Sequence, residues 1–125
     1  MINITPLDAW IREKAGIARE TSAREFVKRL EDYQLKLLNE TIDYARRKTS
    51  FYRRHLNHLP TKPLNALSDL AGIPFTTPSD LVRDPFAFLA VRQDDVARTV
   101  TLFSSGTTGE AKRIFFTEGD LELAM

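Results

Sequence analysis

Ahead of Arg113 the chain reads Phe103-Ser104-Ser105-Gly106-Thr107-Thr108-Gly109-Glu110-Ala111-Lys112. Residue types and spacing here suit the binding of an anion. None of the nine residues from Ser104 to Lys112 is proline, so each has a backbone N–H to offer. Gly106 and Gly109 permit positive φ and let the backbone approach a ligand closely. Successive N–H groups in such a loop form a concave nest for negative charge. Ser104, Ser105, Thr107 and Thr108 add hydroxyl donors, and Lys112 adds a mobile cation of the kind that pairs with phosphate. The pattern is not a Walker A loop, because G-x-x-G-x-x-K lacks the four-residue spacing and the following Ser or Thr. A solvated loop that binds nothing has the same composition; strand-like flanks and the terminal lysine favour the anion reading.

Those flanks are the first elements that must position the loop. Arg98 to Phe103 alternates in the manner of a strand, and Arg113 to Thr117 reads as a second. Hairpin loops usually hold about two to five residues, so a longer one calls for a reason. Upstream the chain is helical. Thr5-Pro6 is a cap followed by proline at the first helical position, and Gly16 is suited to end that helix. Ser22 and Glu25 have capping-box spacing. From there Phe26, Leu30, Tyr33, Leu37, Thr41 and Tyr44 recur at helical steps, widened by Leu38, Ile42 and Ala45, and predict one long helix ending near Lys48. Ser50 is placed to cap a short helix, Phe51 to Leu56. Asn57 to Pro63 reads as a linker, Leu64 to Leu70 as a helical turn or two, and Ile73 to Thr76 as extended. Thr77-Pro78 starts another helix, ended by Pro85. Glu118 onward begins a last helix. The expected fold class is mixed α/β, with a helical region over 1–60 and an α/β region over 61–125 that carries the loop at 104–112.

Composition bounds the function. The chain is 42% hydrophobic and 28% charged, the balance of a globular protein. A formal net charge of +1 gives no global drive toward nucleic acid or an anionic membrane. Cysteine is absent, which excludes disulfides and thiolate chemistry. No apolar run approaches the roughly 18 residues of a membrane span, and no signal-peptide pattern opens the chain; the expected location is cytoplasmic. Arg46, Arg47, Lys48, Arg53, Arg54, His55 and His58 make a basic cluster that suits an anionic partner, against the plainer reading of a helix C-terminus whose dipole favours cations. His55 and His58 lack a third ligand, so no metal site is expected. Phe51 and Tyr52 are expected in the core. Two strands with so much apolar surface are marginal alone, so more sheet is expected from further chain or from a second copy, as a homodimer or swapped oligomer.

Ser104-Ser105-Gly106-Thr107-Thr108-Gly109 with Lys112 resembles the phosphate-binding signature of the adenylate-forming superfamily, which includes the acyl-CoA synthetases. Two upstream blocks narrow the likeness. Tyr44 to Arg54, reading YARRKTSFYRR, looks like a helix of the phenylacetate–CoA ligases, and Leu70 to Leu81, reading LAGIPFTTPSDL, looks like their following segment. Asp84-Pro85-Phe86 and Asp120-Leu121 match in order and spacing. The likeness covers roughly residues 34 to 121. Ala111 stands where the family has a proline before its lysine, Pro78 stands where a lysine is usual, and Phe51 replaces a proline. Such departures also mark divergent offshoots, the coenzyme F390 synthetases and the acyl-protein synthetases of bioluminescent bacteria.

The resemblance implies an ATP-dependent, AMP-forming ligase. A carboxylic acid attacks the α-phosphate of ATP, pyrophosphate leaves, and CoA or another acceptor takes the acyl group. The site residues Ser104, Ser105, Gly106, Thr107, Thr108, Gly109 and Lys112 would grip the β- and γ-phosphates with Mg²⁺. In the family the adenine pocket, the acidic metal ligand and the catalytic lysine lie downstream. The chain is therefore expected to be an N-terminal portion of the mixed α/β domain, inactive alone, with no catalytic residue of its own. A non-catalytic module binding phosphate or nucleic acid is the reading from a different class.

Overall fold

A computed structural model describes residues 5–103 and 111–124. The chain combines five α-helices with a small two-stranded antiparallel sheet among the described residues, a mixed helix-and-strand fold. It divides into two compact units, Met1–Thr41 with Lys62–Leu70, and Ile42–Thr61 with Ala71–Met125.

In the first unit, α1 (Pro6–Ala15) begins with a reciprocal cap. Thr5 Oγ1 accepts from the Asp8 N–H at 3.2 Å, and the Asp8 carboxylate accepts from the Thr5 N–H at 2.8 Å. Gly16 ends the helix at φ 65°, where a side chain would strain the backbone. The chain then turns over Ile17, which is buried. Arg12 holds the turn from below: Nη1 donates to the Ala18 carbonyl at 2.9 Å while the guanidinium lies 4.3 Å from the centre of the Phe26 ring.

The long helix is α2 (Ala23–Lys48). Only half of the expected capping box forms. Ser22 Oγ accepts from the Glu25 N–H, but the Glu25 carboxylate pairs with Arg29 at 2.8 Å instead of turning back. The apolar stripe also differs from the expected one. Phe26, Leu30 and Tyr33 are half-buried, but the line then passes through Leu38, Ile42 and Ala45, leaving Leu37, Thr41 and Tyr44 exposed. Both rows have helical spacing, so periodicity alone does not choose between them. Asn39, beside Leu38, locks the returning chain by donating to the Leu64 carbonyl at 3.0 Å and accepting from its N–H at 2.8 Å. A 3₁₀ turn over Leu67–Gly72 stands in place of the helical turns expected at Leu64 to Leu70.

The second unit carries the sheet. Helix α3 (Ser50–His55) is capped by Thr49, not by Ser50. The buried Thr49 hydroxyl donates to the Ala45 carbonyl at 2.9 Å and accepts from the Tyr52 N–H at 3.1 Å, joining the end of α2 to the start of α3. Ser50 is the first helical residue and points its hydroxyl at the Ala87 carbonyl. The expected core contacts of Phe51 and Tyr52 are present: Phe51 stacks on Phe88 at 4.1 Å between centroids, with Tyr52 edge-on to both. Leu56 and Ala87 are buried beside this cluster. Ile73 to Thr76 is extended as expected, tied down by a 2.9 Å bond between Tyr52 Oη and Thr76 Oγ1.

Helix α4 (Pro78–Arg83) repeats the α1 solution, with Thr77 and Asp80 as the reciprocal cap and proline at the first position. Asp84 caps a 3₁₀ turn, Pro85–Phe88. Strands β1 (Arg98–Leu102) and β2 (Lys112–Phe116) pair antiparallel with Val100 opposite Ile114. Both strands lie one residue earlier at their C-terminal ends than the sequence suggests. β2 packs on α4, and Phe115 stacks on Phe86 at 5.2 Å. A third Thr–Asp box, Thr117 with Asp120, starts α5 (Glu118–Leu123). No described helix is long and apolar enough to cross a membrane.

Candidate functional site

Ser104, Ser105, Gly106, Thr107, Thr108 and Gly109 lie outside the described residues. Their frame lies within them. Leu102 is paired with Lys112, so the segment 103–111 leaves and returns at one end of the hairpin. Lys112, expected as the last loop residue, is the first residue of β2 and is half-buried. Its backbone is therefore held by the sheet, and the root of the loop is held with it. Packing of β2 against α4 and of Phe115 against Phe86 anchors this hairpin to the rest of its unit.

A groove of about 360 Å³ adjoins the hairpin. Leu81, Phe88, Val91 and Phe116 give it apolar walls, and Arg113 and Asp120 also line it. Arg113 is exposed and makes no ion pair among the described residues. Asp120 is committed elsewhere. Its carboxylate accepts from the Thr117 N–H at 2.8 Å and the Thr117 hydroxyl at 2.9 Å, and these bonds hold it below the usual aspartate range. A carboxylate so occupied is a poor general base. A second concavity, of about 280 Å³, brings Arg54, Arg83, His55, Asp80 and Asp84 beside Phe51. Both of its acids are spent on caps: Asp80 on Thr77, whose backbone N–H and then hydroxyl lower its pKa, and Asp84 on the Ala87 N–H. His55 Nε2 faces the carbonyls of Phe75 at 3.1 Å and Pro74 at 3.3 Å, which only a protonated Nε2 can satisfy. That histidine pins the extended segment.

The basic cluster comes apart in the same way. Arg46 points into its own unit: Nη1 donates to the Pro60 carbonyl at 2.9 Å, and Nη2 to the carbonyls of Leu56 at 3.0 Å and Leu59 at 3.3 Å. Arg47 pairs with Asp43 at 2.8 Å, and Arg53 donates to the Arg47 carbonyl. The run is thus largely a helix end tying down the turn that follows, rather than a continuous anionic-ligand surface. The role of Arg46 was not readable in sequence, since its acceptors are backbone carbonyls 10 to 14 residues away. The groove beside β2 was also missed; its one sequence signal is Arg113, a second cation directly after Lys112. Among the described residues no three His, Cys, Asp or Glu side chains cluster to hold a metal ion. No family model matches this chain, and no curated protein matches it.

Proposed function

We propose that this chain is the N-terminal portion of an ATP-dependent, AMP-forming carboxylate–CoA ligase and supplies the loop that grips the β- and γ-phosphates. The observation that carries the reading is the pairing of Leu102 with Lys112. It gives the Ser104–Gly109 stretch two fixed ends on a packed hairpin, as a preorganised oxyanion cradle requires. The loop signature of the adenylate-forming superfamily and the two upstream blocks that resemble the phenylacetate–CoA ligases support the same reading. In it, Lys112 sits at the root of the cradle and its ammonium reaches phosphate oxygens as a point charge. Loop N–H groups and the Thr107 and Thr108 hydroxyls offset the charge that builds on the leaving pyrophosphate. The described residues offer no carboxylate set for Mg²⁺. An acyl-protein or coenzyme F390 synthetase-type enzyme shares the adenylating half of this chemistry and differs only in the acceptor. A nucleic-acid module is disfavoured by the structural duties of Arg46, Arg47 and Arg53.

The test is ATP–pyrophosphate exchange by the protein encoded by the whole reading frame, across a panel of carboxylic acids. Acid-dependent exchange is expected, lost in Gly106→Val while the thermal midpoint stays unchanged. Exchange with none of the acids, or full exchange by Gly106→Val, refutes the reading. Residues 1–125 alone are expected to form no acyl-AMP.

A further inference from the structure

We draw no further inference here: the strongest candidate, the groove of about 360 Å³ beside β2 that Arg113 lines, adjoins a hairpin whose connecting residues 104–110 lie outside the described ones, and nothing in the structure shows what fills it.

Discussion

Replacing Arg46 by alanine separates a structural cation from a ligand-binding one. In the structure its guanidinium donates to three carbonyls, two of them sharing Nη2. A hydrogen bond from a charged donor is worth about 1.5–3 kcal/mol, and the shared donor counts as roughly one. Against this, Arg46 Nε is buried and has no partner among the described residues. An unsatisfied polar group of that kind costs about 1–3 kcal/mol, which truncation would recover. The balance for Arg46→Ala is a loss of about 2 kcal/mol, once the acceptor carbonyls regain water. With a urea slope of about 1.5 kcal/mol per molar, the midpoint should fall by roughly 1.3 M. Arg47→Ala is the internal comparison. Its ion pair with Asp43 is exposed on both sides, a class of pair worth about 0–1 kcal/mol. Urea unfolding followed by circular dichroism reads both. Amide exchange at Asn57 and Leu59, in the turn that Arg46 holds, should speed up in Arg46→Ala alone. Equal midpoints for the two variants would refute the structural assignment and return Arg46 to the pool of ligand-binding cations.

Acid sensitivity should trace to the Thr–Asp boxes. Asp8, Asp80 and Asp120 all have folded pKa values below the ordinary range, through hydrogen bonds from Thr5, Thr77 and Thr117. A depressed folded pKa gives stability that is whole above the unfolded value, about 3.9, and is lost as pH falls below it. Thermal midpoints of the parent chain should therefore drop below about pH 4, and Asp8→Asn/Asp80→Asn/Asp120→Asn should flatten that drop; an unchanged profile would show that other groups set it. Gly16→Ala should cost about 1–2 kcal/mol by thermal unfolding. A Cβ there meets nothing within 4 Å, so the loss comes from φ 65° alone, and a neutral result would remove the left-handed cap.

The parts of the fold that were legible in sequence are those set by local chemistry. Thr-Pro marked the helix starts at residues 5 and 77; the aspartates that close those boxes, and the Thr117–Asp120 box, are equally local but were not among the sequence signals used. Alternation located both strands to within a residue. What was illegible depends on contacts distant along the chain. Whether Leu37 or Leu38 is half-buried is not set by periodicity; the chain returning at Leu64 is held beside Leu38 by Asn39, 25 residues away. The choice of Thr49 over Ser50 as a cap is different: its bonds, to the Ala45 carbonyl and from the Tyr52 N–H, are local, but two adjacent hydroxyls offered the same role. Of the candidate site, Lys112 and the flanking strands fall within the described residues; the loop from Ser104 to Gly109 does not.

The cations bear on how such a loop would hold a polyphosphate. Arg46 and Arg53 donate to carbonyls and Arg47 pairs with Asp43, so these donors are committed within the protein, although a bond to a carbonyl leaves a guanidinium its charge. That remaining charge acts on an anion only from a distance, by steering. What remains is short-range: N–H dipoles, hydroxyls and Lys112, useful only if they are aimed before the ligand arrives. Aim depends on the frame. The frame in turn depends on Phe115 lying on Phe86, and on the Pro85–Phe88 turn being held by Phe51 through Phe88. The aromatic cluster thus supports the hairpin strands. Under the proposed function, Phe51→Ala or Phe88→Ala should raise the KM for ATP in pyrophosphate exchange through the geometry of the hairpin, and an unchanged KM would refute that link.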